Sequence, residues 1–179
     1  LLAHLLLLPI WILLWVAIPI AIWLGDRGPV FYRQKRSGIN GQVITILKFR
    51  TMTPEADRIG PAWTTENDPR VTPIGRILRR TALDELPGLL SIWKGDMSLV
   101  GPRPYLAEHD HLFQRDYKAY RVRQFVKPGV TGPAQCRGLR GEFTDPELVR
   151  QRIEMDFDYV GSWSLWLDCE IVLRTFRQV

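Results

Sequence analysis

The sequence predicts a mostly helical α/β protein. A hydrophobic helix over residues 1–24 leads into one compact domain over residues 25–179, built from amphipathic helices and a small β-hairpin. Three observations predict this. Residues 1–24 contain no Asp, Glu, Lys or Arg. Two runs rich in β-branched and aromatic residues flank a Gly- and Asn-containing turn. Beyond Pro73, apolar residues recur at three- and four-residue intervals.

The first segment exceeds the ~20 apolar residues that cross a bilayer. Pro9 and Pro19 interrupt it, and a proline inside a helix kinks or breaks it. Hydropathy alone favours a kinked span over a helix that enters and returns on one side. Basic residues follow the segment, starting at Arg27, Arg33, Lys35 and Arg36, so the following domain is expected on the cytoplasmic side. The segment lacks the basic leader and cleavage site of a signal peptide. The chain starts at Leu1, not Met, so it is expected to be part of a longer protein.

Gly25 to Pro29 reads as a turn, residues 30–34 as a strand, Ser37 to Gly41 as a hairpin loop and residues 42–50 as the second strand. Residues 53–73 are polar and rich in Pro and Asp, which predicts a loop. Pro73 suits the first turn of a helix. The spacing of Ile74, Ile77, Leu78, Leu86, Leu89, Leu90 and Trp93 predicts two helices, 74–83 and 85–93, meeting near Asp84 at the break expected from Pro87. The first carries Arg76, Arg79 and Arg80, a basic amphipathic pattern compatible with a membrane interface or a solvated face. Residues 108–125 have helical character, and residues 127–133 read as a rigid loop. Thr144 or Asp145 can cap a helix running toward Tyr159, and Ser162 starts a last, aromatic helix.

The chain has 179 residues, 24 Lys and Arg against 19 Asp and Glu, and a net charge of +5. That balance suits anionic partners such as nucleotides and lipid headgroups. Two cysteines, Cys136 and Cys169, form neither a metal motif nor a disulfide framework. The aromatics cluster with apolar residues and not among basic ones, so no nucleic-acid partner is expected.

Chemistry concentrates in Thr81-Ala82-Leu83-Asp84-Glu85-Leu86-Pro87 and the later Gly95-Asp96-Met97-Ser98-Leu99-Val100-Gly101-Pro102-Arg103-Pro104. One carboxylate can attack phosphorus, a second can hold a metal, and arginines can neutralise phosphate oxygens. On a regular helix Asp84 and Glu85 point about 100° apart, so they would act on different atoms. Helical spacing also pairs Arg80 with Asp84, which makes a surface ion pair the bland account of that aspartate.

Asp84-Glu85-Leu86-Pro87, together with Lys94 through Pro104, resembles the core signature of the bacterial sugar transferases, the monotopic phosphoglycosyl transferases. So do Arg27-Gly28-Pro29-Val30-Phe31-Tyr32-Arg33-Gln34, Lys48-Phe49-Arg50-Thr51-Met52, Lys127-Pro128-Gly129-Val130-Thr131-Gly132 and Trp163-Ser164-Leu165-Trp166-Leu167-Asp168. The resemblance implies transfer of a sugar-1-phosphate from a UDP-sugar to a polyprenyl phosphate, usually undecaprenyl phosphate, with Mg2+ as cofactor. This is a first membrane step in polysaccharide and glycoconjugate assembly. It implies Asp84 as the nucleophile on the β-phosphorus, UMP as leaving group and a phosphosugar–aspartyl intermediate. Glu85 is implied as a catalytic and metal-binding residue, and Lys48, Arg79, Arg103 and Pro104 as substrate-binding residues. It also implies a re-entrant anchor broken by proline, contact with membrane lipids, and a catalytic domain on the cytoplasmic face of the bacterial inner membrane. A homodimer is compatible with the family. Residues 1–24 lack the Ser-Pro pair common at the family's break.

Two other readings make different predictions. A conventional glycosyltransferase would release UDP and form no adduct. A non-catalytic membrane-anchored module, binding anionic lipid or a partner protein through Arg76, Arg79 and Arg80, would survive loss of the Asp84 carboxylate.

Overall fold

The computed structural model describes residues 2–59, 68–117, 120–139 and 146–178. Contacts gather the chain into two compact units, Leu1–Tyr32 with Lys48–Leu86, and Arg33–Leu47 with Pro87–Val179.

The first unit is built on helix α1, Leu2–Asp26. Its side chains are described from Ile12 onward, and among the described residues no helix is long and apolar enough to cross a membrane. Ile18 and Ile22 are buried against Phe49 and Leu78, with Trp15, Ile74 and Leu86 packed around them. Ile12, Leu13, Val16, Ile20 and Leu24 are exposed. The helix runs unbroken through Pro9 and Pro19. An interior proline costs about 3 kcal/mol. Burying Ile18 and Ile22 contributes about 1.5–3 kcal/mol each, enough to carry the helix past Pro19.

Helix α1 ends where Asp26 accepts from the Gly28 backbone N–H at 3.0 Å. The Arg50 guanidinium bonds both Asp26 oxygens, one at 2.7 Å, and the Pro29 carbonyl. Strands β1, Phe31–Ser37, and β2, Val43–Phe49, form the expected hairpin. Its loop holds Asn40 and Gly41 at positive φ, 54° and 75°, the backbone that Asn and Gly tolerate.

Where it is described, the polar stretch after β2 has more order than the loop predicted. A short helix α2, Ala56–Ile59, follows β2, and Met52 bridges Val71. Residues 60–67 of that loop lie outside the described residues. Helix α3, Pro73–Arg80, starts as expected: Pro73 opens it and the Thr72 side chain accepts from the Gly75 N–H at 3.0 Å.

The two helices expected to meet near Asp84 are replaced by three pieces. Helix α3 stops at Arg80, and Ala82 takes a left-handed φ of 55°. A 3-10 segment, Leu83–Gly88, then carries Asp84, Glu85 and Pro87, and helix α4, Leu89–Trp93, follows. The break therefore falls at Ala82, five residues before Pro87. The Thr81 hydroxyl closes α3 by donating to the Ile77 carbonyl at 2.9 Å.

The second unit holds a strand pair hidden in the sequence. Strand β3, Ser98–Val100, runs parallel to β4, Gly129–Thr131, in the segment read as a rigid loop. Backbones meet there without room for side chains. A Cβ on Gly129 would sit 2.1 Å from the Gly101 nitrogen, and one on Gly132 2.1 Å from the Gly101 oxygen. Helix α5, Ala107–Asp116, and a 3-10 segment, Tyr120–Phe125, replace the single helical stretch expected over 108–125. Helices α6, Pro146–Gly161, and α7, Leu165–Gln178, complete the unit. The expected caps Thr144 and Asp145 lie outside the described residues. Helix α7 starts three residues after Ser162, and the Ser164 hydroxyl caps it by accepting from the Leu167 N–H at 3.1 Å.

Tyr105, Tyr120, Val149 and Ile153 form one core, and Val100, Cys136, Tyr159 and Ile171 another. Within the unit, Arg123 is held by Asp156 at 2.8 Å and lies over the Tyr105 ring at 3.8 Å.

Candidate active site

Four of the predicted site residues gather in the first unit. Lys48 stands near the end of β2, Arg79 in the last turn of α3, and Asp84 and Glu85 in the 3-10 segment. Neighbours in such a segment diverge by about 120°, so the two carboxylates point apart more sharply than an α-helix would allow.

Their environments differ accordingly. Lys48 Nζ donates to Glu85 Oε1 at 2.7 Å, both side chains about a quarter exposed or less. Asp84 has no salt bridge within 4 Å among the described residues. Burial pushes the Asp84 carboxyl above its ordinary value; Lys48 and Arg79 oppose the rise, and the Glu85 charge adds to it. The pair thus separates into one anchored carboxylate and one left open, partly desolvated and more basic than usual.

Arg79 also belongs to this cluster. Its Nε donates to the Thr51 hydroxyl at 2.8 Å. Burial pulls its guanidinium below the usual value, opposed by the Asp84 charge. Arg80 is exposed. The helical pairing of Arg80 with Asp84 fails because α3 has ended at Arg80, so the i, i+4 geometry never forms.

Arg103 and Pro104 lie in the second unit, in the extended segment after β3. Pro104 is buried, and its carbonyl accepts from Arg36 Nη1 at 3.0 Å. The Arg103 carbonyl accepts from Arg123 Nη2 at 2.5 Å. This loop is fixed through its backbone, and the Arg103 side chain is half-buried.

In chemical terms, the first unit offers an unpaired carboxylate beside an ammonium, a guanidinium and a second carboxylate. Such a set suits attack on a phosphorus centre with charge neutralisation. The model of the family described as bacterial sugar transferase matches residues 1–179.

The chain belongs to the bacterial sugar transferase family.

Individual sugar transferases are also similar to it. A UDP-glucose:undecaprenyl-phosphate glucose-1-phosphate transferase of Caulobacter vibrioides is 49% identical over 87% of this chain and 58% of its own length. A protein of the same name from Escherichia coli is 44% identical over 88% of this chain and 34% of its own. A UDP-N-acetylgalactosamine-undecaprenyl-phosphate N-acetylgalactosaminephosphotransferase of Aeromonas hydrophila is 37% identical over 99% of this chain and 42% of its own. The chain therefore spans between about a third and three fifths of these curated relatives.

Within this sugar transferase, two residues escaped the sequence reading: Thr51, beside Arg79 in the first unit, and Arg123, which bonds the Arg103 carbonyl in the second. Thr51 sits inside the Lys48–Met52 block, but only tertiary packing shows its hydroxyl on Arg79. Arg123 gave no signal, because its partner Asp156 lies on a helix far along the chain.

Proposed function

We propose that this chain transfers a sugar-1-phosphate from a UDP-sugar to a polyprenyl phosphate through a covalent phosphosugar ester on Asp84. The observation that carries this is the division of the carboxylate pair: Glu85 is held by Lys48, while Asp84 is unpaired, half-buried and raised in basicity. The names of the relatives support the donor and acceptor classes, and their differing sugars leave glucose and N-acetylgalactosamine both as candidates.

In the first step an Asp84 oxygen attacks the β-phosphorus. The bond from that phosphorus to the bridging oxygen breaks, and UMP leaves with the oxygen. In the second step a lipid phosphate oxygen attacks the same phosphorus and Asp84 departs as carboxylate, leaving a sugar diphosphate lipid. Asp84 needs no general base, since it reacts as the ionised carboxylate. Lys48 and Arg79 place positive charge beside it, where the phosphate oxygens would lie.

We propose Mg2+ as the cofactor, with Glu85 as its protein ligand. Among the described residues no group of three His, Cys, Asp or Glu forms a metal cage. Mg2+ needs none when substrate phosphates complete its octahedron around one or two carboxylates. A carboxylate can accept from Lys48 and still offer lone pairs. Bound there, the ion would neutralise charge developing on the phosphate oxygens.

The reading places α1 in the cytoplasmic leaflet of the inner membrane, with the catalytic domain on the cytoplasmic face; the helix is unbroken here, so re-entry would require it to bend at Pro9 or Pro19 on meeting the bilayer. Two features support it. The exposed residues Ile12, Leu13, Val16, Ile20 and Leu24 form an apolar stripe at helical spacing. On the helix's other side, Ile18 and Ile22 pack on Phe49 and Leu78, which keeps this half of α1 with the domain.

The test is incubation of the chain with a UDP-sugar and Mg2+ but no lipid acceptor, followed by peptide mass analysis. A phosphosugar increment on the Asp84 peptide, with stoichiometric UMP, is expected. Release of UDP without an adduct would convert the assignment to a conventional glycosyltransferase. No nucleotide release, even with polyprenyl phosphate, would leave only the binding-module reading.

A further inference from the structure

We infer that Thr51 is a positioning residue: its hydroxyl holds Arg79 by Nε, so that both terminal amino groups of the guanidinium face the ligand as a fork. This deepens the phosphosugar-transfer reading and rests on it.

The geometry starts from Thr51 itself, 6% exposed and two residues after the end of β2. Its carbonyl accepts from the Thr72 N–H at 3.0 Å and from the Thr72 hydroxyl at 3.3 Å. Thr72 is the N-cap of α3, so the helix start is tied to the Thr51 backbone. One turn on, Gly75 passes so close that a Cβ there would sit 2.0 Å from the Thr51 oxygen. At the far end of the same helix, Arg79 Nε donates to the Thr51 hydroxyl at 2.8 Å. One residue thus fixes α3 at its beginning by its backbone and at its last turn by its side chain.

A guanidinium has five N–H groups in one plane. Fixing Nε–H on an acceptor sets that plane and the direction of the other four. The Nε bond to Thr51 is Arg79's hydrogen bond among the described residues, and no carboxylate lies within salt-bridge distance of it. Arg79 therefore offers two terminal nitrogens, in a half-buried setting, to a group with paired oxygens. A phosphate matches that fork bidentately, whereas a lysine at the same place would act as a point charge. Pre-setting the plane spares the rotamer entropy that a free arginine would lose on binding.

The experiment is a double-mutant cycle on the full chain in lipid nanodiscs, measuring UMP release against UDP-sugar concentration with polyprenyl phosphate present. Thr51→Val keeps the β-branched shape and removes the acceptor. We expect kcat/KM for the UDP-sugar to fall about tenfold or more, which is what a charge-assisted hydrogen bond is worth. Thr51→Ser, which keeps the hydroxyl, should stay within about threefold of wild type. In an Arg79→Lys background, which lacks Nε, Thr51→Val should change nothing further. Should Thr51→Val fail to fold by circular dichroism, Thr51→Ala takes its place in the same cycle. Wild-type kinetics in the hydroxyl-free variant would overturn the inference alone. So would losses that multiply when Thr51→Val and Arg79→Lys are combined. Absence of UMP release by the wild type would instead overturn the reading on which it rests.

Discussion

Lys48 Nζ lies 2.7 Å from Glu85 Oε1, while the preceding residue, Asp84, has no ion-pair partner among the described residues. Adjacent carboxylates are thereby given separate environments by one lysine. The consequences can be measured.

Asp84→Asn should abolish UMP release, a loss of about 10⁴-fold or more as expected for a missing nucleophile. The same change should raise thermal stability at neutral pH. Because burial raises Asp84, the folded chain holds a proton there more tightly than the unfolded chain. Stability from this group is present below the unfolded carboxylate value, about 3.9, and is lost as pH rises through the raised folded value. The amide removes that loss. Calorimetry at pH 7.5 checks it, and a lower Tm for the variant would contradict the assignment of burial as the main cause.

The acid limb of kcat/KM against pH should lie above the range of an ordinary aspartate, because the attacking group must be ionised and its value is raised. Lys48→Met should move the limb to higher pH, since the ammonium favours the carboxylate. Glu85→Gln should move it to lower pH, since the neighbouring negative charge disfavours ionisation. Opposite movements would show that another group sets the limb.

Gly75→Ala should destabilise the first unit by about 3 kcal/mol, the upper end for overpacking, because the new methyl meets the Thr51 carbonyl at 2.0 Å and backbone cannot rotate away. For a chain of this size the loss corresponds to a Tm about 6–12 °C lower. Thermal denaturation followed by circular dichroism reads it directly.

Asp156→Ala should cost about 3–5 kcal/mol, since it strands the Arg123 guanidinium in the core. The double change Arg123→Met with Asp156→Leu should recover much of that stability, because no charge is left buried. Urea unfolding of both variants distinguishes a buried pair that specifies the core from one that stabilises it. An Asp156→Ala variant as stable as wild type would remove the pair from the account of how the Arg103 loop is held.

The uncharged first segment, the hairpin and the Pro73 helix start were legible because each rests on local chemistry: apolar content, Asn and Gly in a turn, proline in a first turn. The strand pair β3–β4 was not, since three-residue strands made largely of Gly, Ser and Val carry no period and pair across some thirty positions. The break at Ala82 was hidden for a related reason. Alanine is a helix former, and only tertiary packing drives it to a φ of 55°. Asp84 and Glu85 could be picked out as a pair. That Lys48 takes one and Arg79 attends the other depends on β2 and α3 meeting in space.

Helix α1 contributes Ile18 and Ile22 to the core that holds Phe49 and Leu78, and Asp26 to the ion pair of Arg50. Anyone trimming this protein for work without detergent should therefore not treat its greasy start as a detachable tail. Cutting before Leu14 spares these contacts and the packing of Leu14 and Trp15 around them. Cutting at residue 24 opens a hole beside the strand that presents Lys48, and cutting past Asp26 also strands a buried arginine. A shortened version made that way would lose activity through the architecture of its site before any question of membrane access arose.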